Sequence, residues 1–184
     1  IFPGQGSQVV GMGKELAEHF PVAMETFEEA DEALGFSLTK LCWEGPEEDL
    51  RKTMYTQPAI VTTSVACMRV LNETGIKPTI TAGHSVGEYS ALVCAGALDL
   101  GQAVRLTHLR GKLMETACPD GMGGMAAIIG MDAGAVAQLC RDFSSQGVVE
   151  VANYNSPEQT VISGEKGPVE AAAQEATNRG ARRV

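Results

Sequence analysis

Apolar residues along the chain follow helical spacing over much of the first part, and the order of expected elements changes near residue 120. Before it, steps of three and four dominate. Ile60, Val61, Val65, Met68 and Leu71 predict a buried helix over residues 57–75. Pro21 suits a first helical turn, and helical spacing over residues 22–34 runs until Gly35 stops it. Pro46 followed by Glu47, Glu48 and Asp49 predicts another helix start, since acids complement the positive helix terminus. Residues 78–83 are short and β-branched, which predicts a buried strand. Asp99 with Gln102 three residues on predicts a capped helix running to residue 117 or so.

Beyond the turn Pro119-Asp120-Gly121 and the pair Gly123-Gly124, the grammar changes. Strands are expected over residues 125–130, 147–153 and 159–163, and helices over 133–141 and 168–178, with a fourth strand just begun at Arg182. That order, βαββα, is the split ferredoxin-like pattern without its last element. The chain therefore reads as two domains, residues 1–120 and 121–184. Ile1-Phe2-Pro3-Gly4 reads as the tail of a strand, and Arg179-Gly180 as a helix cap leading into another. The expectation is a segment of a longer protein.

Composition narrows the classes. With 184 residues, 44% apolar and 20% charged, the chain can build an ordinary folded core. No run approaches the roughly 20 apolar residues that a spanning helix needs, and mean hydropathy is −0.01. No membrane association is expected. The net charge of −9 lies wholly in residues 1–50, which hold 11 acids and 2 bases. Such a segment does not suit nucleic acid, whose binding rests on neutralised phosphates. It reads as the solvated acidic face of a helix at Glu25 to Glu32. The five cysteines are widely spaced, without zinc or redox spacing, so reduced thiols in a cytoplasm and no metal site are expected.

The strongest chemical signal is Ala82-Gly83-His84-Ser85-Val86-Gly87-Glu88, a Gly-x-Ser-x-Gly between an expected strand and an expected helix. That context is what a nucleophile elbow requires. A strand reversing directly into a helix crowds its neighbours, so glycines two before and two after leave the Ser85 hydroxyl clear. The following helix points amide dipoles at developing negative charge, and the Val86 amide is the natural first oxyanion donor. His84, adjacent to the serine, points away from it and suits packing or hydrogen bonding rather than a base role. Phe2-Pro3-Gly4-Gln5-Gly6-Ser7-Gln8 is a second Gly-rich turn that lacks a P-loop's lysine. It is either a plain tight turn or a loop beside the elbow supplying a second backbone donor from Gln5. Arg110 is either a solvated helix residue or a bidentate fork for a substrate carboxylate. Gly111 beside it costs a helix about 1 kcal/mol relative to alanine, which suggests a close approach there.

At these residues the chain resembles the malonyl-CoA:acyl carrier protein transacylases and, more distantly, the acyltransferase domains of fatty acid and polyketide synthases. The matching stretches are residues 2–8, Thr56-Gln57-Pro58-Ala59, residues 83–92 with Cys94-Ala95-Gly96, Arg110-Gly111-Lys112, residues 125–130 and Asn153-Tyr154-Asn155-Ser156-Pro157. The last leans toward the free-standing bacterial enzyme. The resemblance implies an α/β fold, an α/β-hydrolase-like core with an inserted ferredoxin-like βαββαβ subdomain, each incomplete in this chain. It implies transfer of a malonyl group from coenzyme A to the phosphopantetheine thiol of acyl carrier protein in fatty acid biosynthesis. Ser85 would be the nucleophile, the Gln5 and Val86 amides the oxyanion hole, and Arg110 the malonyl-carboxylate ligand. No permanent cofactor is implied, only malonyl-CoA as substrate. In related synthase domains a valine at the position of Val86 accompanies malonyl over methylmalonyl preference.

One departure stands out. The family's general base is a histidine downstream of the inserted subdomain, and His19, His84 and His108 do not match that position. His19 and His108 are expected on helix surfaces. Two other readings remain open from sequence: a serine esterase or thioesterase on the same elbow, and a non-catalytic fragment binding coenzyme A or a carrier. Because carriers are acidic and this chain is too, docking is expected to use bases after residue 50, with Arg179, Arg182 and Arg183 as candidates.

Overall fold

A computed structural model describes residues 1–118 and 121–184. It is a mixed helix and sheet α/β structure in two compact units, Ile1–Ala117 and Cys118–Val184. The expected turn at Pro119 and Asp120 lies outside the described residues.

The first unit is mostly helical. Its elements are α1 (Lys14–His19), α2 (Pro21–Leu34), α3 (Leu38–Glu44), α4 (Glu47–Leu50), α5 (Thr53–Glu73), α6 (Gly87–Cys94) and α7 (Leu100–Thr116). Helix α2 starts at Pro21 and stops at Gly35, as its spacing predicts. The Asp99 and Gln102 side chains form the expected reciprocal cap on α7. Helix α5 begins four residues before Gln57, so Pro58 lies inside it rather than at its start. Short α1 and α3 carry too few apolar positions to be read from spacing alone.

Two apolar clusters hold this unit together. Phe27, Leu38, Cys42 and Leu50 form one; Val61, Val65, Val86, Leu100 and Val104 form the other. Burial and the Asp31 charge push the Cys42 thiol up to about 12, so it stays protonated. The acidic stretch of α2 is solvated at Glu25, Glu28 and Glu32, while Thr26, Phe27 and Ala30 face inward.

The buried strand expected over residues 78–83 is not formed. Gly83 makes one parallel bridge with Phe2, and Pro78 to Ile80 are exposed, Ile80 by 87%. A strand is made by its ladder, and among the described residues only Phe2 offers this segment a partner. β-branched content predicted the extended backbone but not a neighbour.

The second unit contains β1 (Gly123–Ile129), α8 (Ala133–Phe143), β2 (Val149–Ser156), β3 (Gln159–Glu165) and α9 (Lys166–Asn178). The antiparallel sheet has the order β1-β3-β2, with Ala126 opposite Ile162 and Val151 on the far side of Ile162. Arg183 bridges Ile129 antiparallel on the outer edge of β1. Period-two alternation puts Ala126, Ile128, Ile162, Val149 and Val151 on one face. There they pack with Val136 and Leu139 of α8 and Val169 and Ala172 of α9. Among the described residues no helix is long and apolar enough to cross a membrane.

Candidate functional site

The Phe2–Gly83 bridge creates the site. Phe2 N–H donates to Ala82 O at 2.8 Å, and His84 N–H donates to Phe2 O at 3.1 Å. The chain then reverses at once: Gly87 N–H reaches His84 O at 2.9 Å, and α6 begins. Ser85, at the tip of the reversal, has φ of +52°, the one non-glycine among the described residues in the left-handed region. A β-carbon on Gly83 would overlap the Gly87 carbonyl, and one on Gly87 would lie 2.5 Å from Phe2 O. The two glycines thus let the elbow fold onto itself and onto the neighbouring backbone.

Ser85 is exposed, whereas the next side chain, Val86, is wholly buried in the cluster formed with α5 and α7. Apolar burial of Val86 pins the elbow, and the same rotation leaves its amide outside the helix ladder. Gly4 abuts the other side of the turn; a β-carbon there would lie 2.5 Å from His84 Nδ1. This contact brings the Gln5 loop against the elbow. Among the described residues neither the Gln5 amide nor the Val86 amide finds an acceptor. Two backbone donors beside an exposed hydroxyl suit an oxyanion.

Arg110 projects from α7 and is half-buried. Its Nη2 donates to Ser85 Oγ at 3.1 Å and its Nη1 to Gln57 Oε1 at 2.7 Å. Gln57 is fully buried on α5, and its Nε2 donates to Met114 Sδ at 3.2 Å. A charged donor held this way can orient a carboxylate while sharing a hydrogen bond with the serine. Spacing did not assign Gln57 a part in the site. The available signal is a glutamine three residues before Ile60, on the helix's apolar stripe, where a polar side chain needs a partner.

The close approach expected at Gly111 is present: a β-carbon would lie 2.5 Å from Met54 Cα and from Thr53 O. Glycine here lets α7 press on the first turn of α5, bringing Arg110 and Gln57 within reach.

The histidines divide. His19 is exposed and donates from Nδ1 to Glu15 O at 2.8 Å. His108 is not the surface residue expected. It is half-buried beside Phe36 and Tyr55, with ring centroids 5.3 and 5.9 Å away, and its Nδ1 donates to Met54 O at 2.8 Å. Amphipathic spacing alone does not register an aromatic pocket contributed by other elements.

In the second unit, Arg179 bridges Asp142 and Glu175, each at 2.9 Å, and Arg182 meets Glu158 at 2.9 Å. Of the three bases expected to dock a carrier, two are therefore engaged with internal acids, which leaves Arg183 exposed.

The whole chain, residues 1–184, matches the acyl transferase domain family. It is 51% identical over 185 residues to the malonyl CoA-acyl carrier protein transacylase of Salmonella typhimurium, covering all of this chain and 60% of that protein. The Bacillus subtilis (strain 168) protein of the same name is 50% identical, with 58% of its length covered. The chain thus spans about three-fifths of the length of these relatives. Among solved structures, it superposes with a TM-score of 0.94 and 51% identity on a malonyl-transacylase in complex with its type II PKS acyl-carrier protein, covering 99% of this chain and 59% of that one. The Coxiella burnetii malonyl CoA-acyl carrier protein transacylase gives a TM-score of 0.95 at 46% identity, covering 98% and 58%.

Proposed function

Since the chain belongs to the acyl transferase domain family, we propose that it carries the nucleophile half of a malonyltransferase site. The observation that carries this reading is the Arg110 guanidinium held by buried Gln57 and lying 3.1 Å from Ser85 Oγ. A hydrolase of uncharged esters has no need of a fixed cation at its serine. A donor of a three-carbon diacid does.

In this reading Ser85 Oγ attacks the thioester carbonyl of malonyl-CoA as its proton passes to a base. The oxyanion rests on the Gln5 and Val86 amides, the carbon–sulfur bond breaks, and coenzyme A leaves as a thiol after taking a proton. Arg110 holds the distal carboxylate and orients the acyl group throughout. The phosphopantetheine thiol of acyl carrier protein then attacks the malonyl-serine ester, gives up its proton, and regenerates the Ser85 hydroxyl. His19 and His108 do not match the position of the family's histidine, so neither is taken as the base. The base is assigned to a histidine following the small subdomain, as the family resemblance implies. The fold reading joins this one: residues 1–120 belong to an α/β-hydrolase-like core and residues 121–184 to a ferredoxin-like subdomain. The sheet order β1-β3-β2, with Arg183 beside β1, supports the latter. Malonyl-CoA and the carrier are substrates, and no resident cofactor is invoked.

Intact-mass analysis of the complete protein after incubation with malonyl-CoA tests the reading. A malonyl adduct is expected, absent in Ser85→Ala. Arg110→Ala is expected to lower kcat/KM for malonyl thioesters by about ten- to a hundredfold while sparing uncharged acyl thioesters. Equal loss on both would favour an esterase, and tight coenzyme A binding without any adduct would favour a binding module.

A further inference from the structure

Pro58 interrupts the hydrogen-bond ladder of α5, because proline has no N–H to give to the carbonyl four residues back. That carbonyl belongs to Met54. It is not left unpaired: His108 Nδ1 donates to it at 2.8 Å from α7. The other polar group of Met54 is met from the same helix, since its N–H donates to Glu115 Oε1 at 3.2 Å. Between these two side chains Gly111 lets α7 close to backbone contact with Met54. His108, Gly111 and Glu115 are spaced i, i+3 and i+7, one stripe of α7. Three residues of one helix face thus grip both backbone groups of one residue on another.

The consequence for the site is one of register. Gln57 lies three residues after Met54 and Arg110 two after His108, so each partner of the Arg110–Gln57 bond is less than one turn from the clamp. We propose that His108 is a positioning residue. Its Nδ1–H replaces the helix bond that Pro58 removes, and in doing so it fixes α5 against α7 so that Gln57 holds Arg110 toward Ser85. A carbonyl only accepts, so Nδ1 carries a proton in this arrangement. Phe36 and Tyr55 hold the ring in the plane that aims it. The chemistry of the proposal rests on the malonyltransferase reading; the clamp itself does not.

The test is a double-mutant cycle in the complete protein. His108→Phe keeps an aromatic ring in the pocket and removes the donor. It is expected to lower kcat/KM for malonyl thioesters by about tenfold, leave uncharged acyl thioesters within about twofold, and lower Tm by a few degrees. His108→Asn, whose amide nitrogen can occupy the place of Nδ1, is expected to recover most of both losses. Pro58→Ala returns an N–H to Met54 O from within α5, so adding it to His108→Phe should restore Tm and malonyl selectivity together. Additive losses in the cycle, with no rescue by either change, would overturn the clamp. Rescue of Tm without rescue of selectivity would overturn the positioning role. If the parent protein shows no malonyl preference while the Tm coupling persists, the malonyltransferase reading fails and the clamp stands.

Discussion

The second unit closes its core around a hairpin, with β1 added to the hairpin's edge, whereas the first assembles its core and its site from helices and loops far apart in sequence. In the second, β2 and β3 form a hairpin with Ser156 opposite Gln159, and α8 and α9 cover the same sheet face. In the first, Phe2 pairs with Gly83, Arg110 reaches Gln57 and Ser85, and α7 docks on α5. Strand pairing on one sheet, covered by two helices, gives a unit held by its ladder and one apolar face. Long-range pairing gives the first unit a strained serine and an anchored cation.

The sharpest way to break this contrast is Gly83→Ala. Its β-carbon overlaps the Gly87 carbonyl, backbone on backbone, with no flexible side chain to yield. A loss of about 4 kcal/mol or more is expected in the first unit. Hydrogen exchange should show α5 to α7 losing protection while β1 and β3 keep theirs; loss in both units alike would erase the distinction.

The converse experiment is Leu139→Ala. Leu139 is fully buried between α8 and the sheet, and truncation is expected to cost about 2–5 kcal/mol. Protection should now fall in β1, β3 and α9, and Ser85 acylation should remain at temperatures where the second unit stays folded.

Acid should produce the smallest effect, again confined to the second unit. The Gln138 amide and Arg179 hold the Asp142 carboxyl below its usual range, and Asn178 and Arg179 do the same for Glu175. An acid whose folded value is depressed contributes stability above its unfolded value, and that contribution is lost as pH falls through the folded one. The second unit should therefore weaken as pH drops below about 4, and Arg179→Gln should flatten that slope. An unchanged slope, followed by thermal unfolding at each pH, would show that these exposed pairs contribute nothing measurable.

Much of the second unit was legible because its cues are local. The short apolar run over residues 125–130, the stretch over residues 159–163 and the alanine-rich stretch after Pro168 each specify an element without reference to distant residues. In the first unit the same reasoning found α2, α7 and the sharp turn at Ser85, but placed a buried strand over residues 78–83, where only the single bridge of Gly83 to Phe2 forms. It also took His108 for a surface residue and gave Gln57 no part. Each miss is a question of partner. A β-branched run needs a neighbouring strand, a helical histidine needs to know which rings surround it, and a buried glutamine is explained only by what it bonds.

Chain chemistry alone determined where the backbone must bend and where it must propagate: glycines flanking Ser85, the Asp99 cap, the change in the order of elements near residue 120. Those are properties of a few consecutive residues, and steric and capping energies act over that range. Tertiary structure decided which groups meet. That Arg110 turns to Ser85 rather than to water, and that Met54 is gripped on both its backbone groups, depends on α5 and α7 packing at one register. That register is set by apolar burial and by a glycine contact between residues more than fifty positions apart.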